Sequence, residues 1–477
     1  MFQQMFMMKR SIAAGLLLLL SCMLHAQEAA FKGKLLRAEE FINIVKLYHP
    51  VISQAGIAVQ KAKAEITIAR GAFDPSLYLN TQQKTFDGKN YYNYVNPELK
   101  VPTWFGIEVK AGLENNGGQF LTSEATTGQS SYAGISVPLA KNLLMDKRRA
   151  ALQQAKIFKN LTEAEQRNVI NDVLYEAYSA YWNWVQQYQM YQVTTNVVEV
   201  NKERFSLVKL GYRQGDRPAI DTTEALAQLQ QFQYMQSEAL VRMNNAALEL
   251  SNFLWLPGNQ YYQLEQDVIP DDTWYATDIN TVPLLMQDDL LAATATHPKL
   301  QMYSAKLQWL QVERKLKFQS LLPTINLKTN VLNKGYNMFD GIGKAGFYEN
   351  NNKFGLDIGL PLRLSEGRGG YRLAKLKLQE TTIAQADQRQ EIENKVRQYY
   401  NELIGLVQQV SIYENAYKNY QALYRGEATR YNAGESSLFL LNARENKQLE
   451  ALQKLLELKI KYYKTRQAAQ WAAGILQ

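Results

Sequence analysis

Apolar side chains recur with helical spacing over two very long stretches of the sequence. In the first, neither proline nor glycine interrupts the chain from Arg148 to Leu210, and the second runs from about Tyr371 to Asn432. The apolar positions of the first stretch, three or four residues apart, include Ile170, Val173, Ala177, Tyr181, Trp184, Tyr188 and Tyr191. Near-heptad spacing over such lengths predicts coiled-coil helices. Because a glycine-containing turn and another helical pattern follow each stretch, we expect two helical hairpins.

Two other segments, Pro75–Pro138 and Pro323–Pro361, alternate apolar and polar residues with period two. The alternation is clear from Ala133 to Leu139, from Ile325 to Val331 and from Phe354 to Leu360. Such alternation is typical of β-strands that have one apolar face and one small or polar face. The sequence therefore predicts strand-rich segments before each long helical stretch.

The chain consists of two related halves, because the same landmarks recur in the same order. The paired landmarks are His49-Pro50 with His297-Pro298, Pro75 with Pro323, Pro138 with Pro361, and Tyr212 to Gly215 with Tyr431 to Gly434. The sequence separation between paired landmarks falls mainly from the Pro75–Pro323 pair to the Pro138–Pro361 pair. The strand segment of the first half is therefore longer than that of the second half. The His-Pro pairs occupy predicted helix boundaries, where the residue before proline is pushed out of the helix. We interpret them as structural rather than metal-binding.

The number of strands follows from parity. Each strand segment begins and ends in a helix on the same side, so each half contributes an even number of strands. The shorter segment has room for two, but the longer one contains a further alternating pattern within residues 99–116. That pattern either extends a strand as part of an outer loop or forms an extra hairpin with Tyr91–Val95. We favour two strands per half.

A sheet of about four strands exposes unpaired backbone groups at both edges and cannot close on itself. In a bilayer each unpaired N–H or C=O group costs several kcal/mol, so only closed barrels are stable there. If these strands lie in a membrane, several copies of the chain must pool them.

The N-terminus has the features of an export signal. Basic residues precede a short apolar run from Ile12 to Leu24, and the small residue Ala26 follows at a suitable cleavage position. We therefore expect residues 1–26 to be a signal peptide. In a rival interpretation, Cys22 is a lipidated N-terminus. Both interpretations imply export.

Composition narrows the classes of function. The 477-residue chain has one cysteine and three histidines, which argues against a disulfide framework and against Cys-rich metal sites. Its formal net charge of +8 would permit nucleic-acid binding, but export removes nucleic acid as a partner. No nucleophile–base pair, metal-ligand spacing or paired-carboxylate signature stands out. We expect neither an enzyme nor a cofactor.

Four motifs stand at the ends of the predicted elements: Leu322-Pro323-Thr324, Gly359-Leu360-Pro361-Leu362, Arg430-Tyr431-Asn432-Ala433-Gly434 and Leu440-Leu441-Asn442-Ala443. With the twofold repeat, they make the mature chain resemble the TolC family of outer-membrane efflux and secretion channels. The resemblance implies a fold that is mainly α with a transmembrane β-barrel. The implied assembly is a homotrimer with a 12-stranded barrel in outer-membrane lipid and an α-helical periplasmic tunnel. It also implies no catalysis, since a periplasmic adaptor (membrane fusion protein) connects the duct to an inner-membrane pump of RND or ABC type.

The resemblance also assigns residues to a periplasmic gate at the hairpin ends. Asp221 falls on an acidic position of the family, and Tyr431 on an aromatic that helps to hold the gate closed. Two aspartates that form a ring in the family's type member correspond here to Phe439 and Asn442. An acidic constriction is therefore absent or left to Asp221. A second interpretation of Asp221 is a solvated acid that stabilises a first helical turn.

The hairpin tips are the expected adaptor contacts, because loop tips on rigid scaffolds often carry recognition. These residues are Gly215, Asp216, Arg217, Gly434 and Glu435.

The predicted function is the exit duct of a tripartite efflux or type I secretion system. The alternatives are a dedicated type I protein-secretion duct and, in another class, a soluble periplasmic coiled-coil adaptor or scaffold. The predicted segments are a signal peptide (1–26), an N-terminal segment with the first helix (27–74), the first strand segment (75–140), the first long hairpin (141–256), a linker (257–285), a helix of the second repeat (286–322), the second strand segment (323–364) and the second long hairpin (365–477).

Overall fold

The computed structural model describes residues 35–265, 267–282, 285–341, 343 and 347–476. The expected signal peptide and the rival lipidation site at Cys22 lie outside the described residues. No described helix is both long enough and apolar enough to cross a lipid bilayer.

Helices make up most of the described chain. They are α1 (Ala38–Tyr48), α2 (Pro50–Gly71), α3 (Lys147–Gln214), α4 (Ala219–Ser251), α5 (Thr273–Ala276), α6 (Gln287–Ala293), α7 (Pro298–Gln319), α8 (Phe347–Asn350), α9 (Ser365–Asn432) and α10 (Leu438–Ala473). Helices α3 and α9 have 68 residues each. The two long helical stretches that the apolar spacing predicts are thus confirmed.

The strands fall into one large sheet and two small ones. They are β1 (Leu35–Leu36), β2 (Ser76–Phe86), β3 (Lys89–Pro102), β4 (Glu108–Gly117), β5 (Gly128–Pro138), β6 (Trp255–Leu256), β7 (Gln260–Tyr261), β8 (Ile269–Pro270), β9 (Thr324–Lys334) and β10 (Asn352–Gly359). The large sheet has the order β10-β9-β5-β4-β3-β2, and all its neighbouring strands are antiparallel.

The described chain divides into two compact units. The first, which we call the tip unit, comprises the described residues up to Ser53, Ile170–Ala292 and those from Lys395 onward. The second, the sheet unit, comprises Gln54–Val169 and Ala293–Asn394.

The core of the tip unit follows the stripes of its long helices. Leu403, Leu406 and Val410 of α9 form a buried cluster with Leu455 and Tyr462 of α10. The α9 residues are three and four positions apart, which places them on one helix face. The residues at this spacing are therefore the buried ones, as coiled-coil packing requires.

The expectation of two strands per half is wrong for the first half, which contributes four strands, β2 to β5. The extra hairpin of the alternative interpretation is present: β3, which contains Tyr91–Val95, pairs with β4. A two-residue turn at Asp87 and Gly88, with φ of 50° and 69°, sends β3 back along β2. Asp-Gly favours such hairpin turns because both residues tolerate positive φ. A second turn, in which the Thr103 amide donates to the Ile107 carbonyl (2.9 Å), then starts β4.

Strands β3, β4 and β5 of the large sheet have an inverted exposure pattern. Leu99 of β3 is exposed, whereas Glu98 and Lys100, on the opposite face of the same strand, are half-buried. Val109 between Glu108 and Lys110, and Ile135 between Gly134 and Ser136, repeat the pattern. In a strand of a water-soluble core the apolar side chains would be the buried ones. In these strands the apolar face is therefore the more exposed face in the described chain.

Candidate functional site

The long helices α3 and α9 end in the same type of turn. At the end of α3, Gly215 has φ of 82° and its amide donates to the Tyr212 carbonyl (3.1 Å), while the Asp216 amide donates to Gly211 (2.9 Å). This pair of bonds is a Schellman motif, which satisfies carbonyl groups at the helix end and requires positive φ at the residue after the cap. Glycine meets that requirement without steric strain.

The end of α9 repeats this geometry. Gly434 has φ of 77°, its amide donates to the Tyr431 carbonyl (3.1 Å), and the Glu435 amide donates to Arg430 (2.9 Å). Ser437 then caps α10 by accepting from the Leu440 amide (3.3 Å). The landmarks Tyr212 to Gly215 and Tyr431 to Gly434 thus have the same backbone structure in both halves.

The tip residues expected to meet an adaptor are accessible to different degrees. Gly215, Asp216, Gly434 and Glu435 are exposed, whereas Arg217 is half-buried. The two glycine turns therefore present small, charged loops to solvent.

Arg217, Asp221 and Tyr431 come together near these turns. Arg217 Nη1 lies 3.8 Å from Asp221 Oδ2, one turn further along the chain. The guanidinium also lies over the Tyr431 ring, 4.4 Å from its centroid. Tyr431 is buried against Val208 and Leu441 in a cluster at this end of the tip unit. Arg217 thereby connects an acidic residue of α4 with an aromatic residue of α9.

Burial raises the pKa of Tyr431, against the opposing effect of the Arg217 guanidinium. The hydroxyl therefore stays neutral at physiological pH. Its ring provides a neutral π face for the cation, an arrangement worth about 0.5–1 kcal/mol at a partly exposed site.

Phe439 and Asn442, the residues that the resemblance assigns to the two aspartate positions, lie in different environments. Phe439 is 67% exposed on α10, whereas Asn442 is only 5% exposed. Asn442 Nδ2 donates to Glu224 Oε1 (3.1 Å) and its Oδ1 accepts from Arg204 (3.4 Å). In this conformation Asn442 links helices rather than facing solvent.

Asn442 belongs to a buried polar network that the sequence does not predict. At its centre, Arg204 of α3 binds Glu445 of α10 with both nitrogens, Nη1 to Oε2 at 2.6 Å and Nη2 to Oε1 at 2.8 Å. Tyr424 of α9 accepts from Arg204 (3.0 Å), and Asn201 donates to Glu445 (3.3 Å). We call these residues, with Asn442 and Glu224 of α4, the Arg204–Glu445 network.

The network joins four helices through charge-assisted, bidentate hydrogen bonds, which are the strong ones. Burial by itself lowers the pKa of Arg204, but the hydrogen bonds and the charge of Glu445, together with Tyr424, outweigh burial, and the pKa rises above its ordinary value. Removing one member of such a buried pair leaves an uncompensated charge, at a cost of about 3–5 kcal/mol. The network therefore holds these helix ends in one arrangement.

The sequence places Arg204 and Glu445 on apolar helix stripes, but it does not show that they contact each other. Glu445 lies between Leu441 and Leu449 on one stripe of α10, and Arg204 lies three residues after Asn201 and four before Val208 on α3. Charged residues on an apolar stripe indicate a buried polar contact. The chemistry of the site is structural, since its groups form ion pairs and hydrogen bonds. Among the described residues, no group of three or more His, Cys, Asp or Glu side chains could hold a metal ion.

Comparison with known proteins identifies the family. The family model described as outer membrane efflux protein matches residues 42–254 and 291–474. No curated protein sequence matches the chain.

Solved structures share the fold at low sequence identity. The outer-membrane channel OprN is 14% identical, with 92% of this chain and 89% of that chain covered and a TM-score of 0.66. VceC of Vibrio cholerae is 14% identical, with 92% and 96% covered and a TM-score of 0.63. The open state of the Neisseria gonorrhoeae MtrE channel is 15% identical, with 92% and 90% covered and a TM-score of 0.64.

These structures are outer-membrane channels, and they agree with the TolC-family resemblance drawn from the repeat and the motifs. The family match includes both long helices, both glycine turns and all six strands of the large sheet. The chain therefore belongs to the outer membrane efflux protein family.

Proposed function

We propose that this protein is a passive exit duct of the outer membrane, formed by three copies of the chain, that conducts substrates from the periplasm to the exterior. The strands of the three copies form one closed barrel in outer-membrane lipid, and the long helical hairpins form the periplasmic tunnel. The duct catalyses no reaction, because its relatives are channels and the energy comes from a pump.

The inverted sheet carries this proposal. In β3 to β5 the apolar side chains Leu99, Val109 and Ile135 are exposed on one face, as expected for a surface solvated by lipid. The charged side chains Glu98, Lys100, Glu108 and Lys110 lie on the other face. Within the described chain, β2 and β10 each pair on one side only. Unpaired strand edges are not stable in a bilayer. Strand β2 leaves the helical end of the sheet and β10 returns to it. The β2 edge of one copy can therefore pair antiparallel with the β10 edge of the next, so other copies of the chain supply the missing pairing.

The test is the state of the full-length protein after extraction from membranes. We expect it to require detergent, to have the mass of three chains and to conduct ions in a planar bilayer. A protein that stays monomeric and soluble without detergent would contradict the duct. That result would favour the soluble periplasmic adaptor or scaffold.

At the hairpin ends we propose a closable gate. Arg217 with Asp221 and Tyr431 is its charged contact, and Phe439 and Asn442 are the further gate positions implied by the family resemblance. Gly215, Asp216, Gly434 and Glu435, with Arg217, form the adaptor contact. The support is their position, since four of these five tip residues are exposed on rigid helix ends.

The proposed partners are a periplasmic adaptor and an inner-membrane pump. Co-purification of cross-linked partners from cells tests this assignment. An RND pump recovered with the duct supports efflux, whereas an ABC exporter supports type I secretion.

A further inference from the structure

The hairpin formed by β3 and β4 runs the full height of the large sheet. Strand β3 pairs with β2 from Ser76↔Lys100 to Phe86↔Lys89. Strand β4 pairs with β5 from Glu108↔Ser136 to Asn116↔Gly128. The two strands have 14 and 10 residues, and about 9–11 residues span a bilayer. The hairpin is thus as tall as the strands on either side of it.

The turn between β3 and β4 lies at the helical end of the sheet. Trp104 of this turn stacks on Phe73, which follows α2, with 4.3 Å between the ring centroids. Gly106, at φ of 85°, lies against α3, where a Cβ atom would approach Arg149 Nη2 to 2.7 Å. The chain therefore returns to the helices between β3 and β4 and leaves again, so the hairpin is not a loop beyond the far end of the sheet.

The apolar face continues across the hairpin without a break. One register row joins Leu77, Leu99, Ala111, Ala133, Val331 and Asn352. The next row joins Val101, Val109, Ile135, Thr329 and Phe354. Of these eleven residues only Thr329 and Asn352 are polar, and both lie outside the hairpin. Both strands of the hairpin contribute to the same apolar surface as the strands around them.

Exposed aromatic side chains flank this surface at both ends. Trp104 and Phe105 are exposed in the turn at the helical end, and Phe86 and Phe120 at the other. Aromatic residues at two levels, with an apolar band between them, are typical of strands that cross a bilayer. The surface that covers the apolar face of the hairpin is therefore lipid.

The opposite face of the hairpin is charged. Lys100 Nζ lies 2.9 Å from Glu98 Oε1, and Lys110 Nζ lies 3.2 Å from Glu108 Oε1. Tyr132 of β5 donates to Glu98 across Gly112, where a Cβ atom would approach the tyrosine ring to 2.6 Å. Such a face is compatible with a water-filled interior and not with hydrocarbon.

We propose that β3 and β4 are membrane-spanning, so that each chain contributes six strands and three copies form an 18-stranded barrel with these charges on its inner wall. The inference rests on the proposed function, since it takes the trimeric duct as given. Because barrel diameter grows roughly linearly with strand number, this barrel is about half as wide again as one with 12 strands.

Cysteine labelling of the full-length protein in membranes tests the hairpin directly. The variants are Val109→Cys and Lys110→Cys in β4, with Ile135→Cys and Ser136→Cys in β5 as the reference pair. The parent protein gives the background, because Cys22 is its only cysteine. The probe is a charged maleimide that does not enter lipid. Resistance of the unheated trimer to SDS shows that each variant has folded, and Leu99→Cys replaces Val109→Cys if that variant does not assemble.

We expect labelling at positions 110 and 136, and labelling slower by about tenfold or more at 109 and 135, because hydrocarbon excludes the charged probe. Rapid labelling at 109 with protection at 135 would overturn the inference, since the hairpin would then lie in water while β5 crosses the membrane. Rapid labelling at 135 as well would overturn the proposed membrane duct itself. The two failures are therefore distinguishable.

Discussion

Glu445 has more influence on the hairpin ends than its place in the sequence suggests. It accepts hydrogen bonds from both terminal nitrogens of Arg204, and both side chains are nearly buried. Replacing Glu445 with Gln keeps the shape of the side chain but removes the charge that compensates Arg204. We expect the free energy of opening of these helix ends, measured by amide hydrogen exchange, to fall by about 3 kcal/mol.

The matched control is Glu450→Gln on the same helix. Glu450 pairs with Lys447 at 2.8 Å, but both side chains are largely exposed. Exposed ion pairs contribute about 0–1 kcal/mol, so this change should leave the exchange almost unaltered. Equal losses in the two variants would show that the buried network does not hold the helices.

Arg217 tests the proposed gate, because its contacts are too weak to determine folding. An exposed or half-exposed ion pair and a cation–π contact contribute about 1 kcal/mol each at most. We expect Arg217→Glu to reduce transport while the amount of trimer stays unchanged. The measurement is substrate accumulation in cells together with a blot of unheated membranes.

Arg242→Glu is the control for this charge reversal. Arg242 lies within α4, the helix that follows Arg217, and pairs with Glu238 at the same spacing of four residues, away from the tip. Transport that falls equally in both variants, or in neither, would count against a gate at Arg217.

At the scale of elements, the two helix ends depend on one backbone conformation. Gly215 and Gly434 both have positive φ, which costs an L-residue roughly 1–2 kcal/mol. Gly215→Ala and Gly434→Ala should each lower the thermal stability of the detergent-solubilised protein. Gly426→Ala, in the interior of α9 with open space around its Cα, should raise stability by about 0.5–1 kcal/mol. The same sign for all three variants would contradict this account of the turns.

The long helices and their glycine turns could be predicted because each depends on residues close together in the sequence. The strand number could not be predicted from parity, since two and four strands both return the chain to the helices. The Asp87-Gly88 pair carries the missing information, because a turn that tight forces β3 back along β2.

The buried network was beyond prediction for a different reason. Arg204 and Glu445 lie on stripes whose spacing indicates burial, but spacing does not say which residue on another helix faces them. Phe439 and Asn442 illustrate the same limit, since three residues of separation on α10 put one in solvent and the other in the network. Local patterns predict elements, whereas pairing between elements depends on register.

At the scale of the whole molecule, the proposed assembly depends on which face of the sheet carries charge. Leu79 lies on the apolar face and is 65% exposed, and its neighbour Asn80 lies on the other face. A charge on the lipid side of a barrel costs about 2–4 kcal/mol at mid-membrane and less near the interfaces. We expect Leu79→Arg to reduce the trimer recovered from outer membranes and Asn80→Arg to be tolerated. The reverse order would contradict the assigned orientation of the sheet.

The open edges of β2 and β10 also have a consequence for the life of a newly made chain. A single copy exposes two strand edges with unpaired backbone N–H and C=O groups beside an apolar sheet face. Both features make sheets prone to aggregation. Such a chain cannot wait in the periplasm in its final form. We therefore expect its yield to depend on how quickly copies meet at the membrane and on chaperones that keep the strands apart until then.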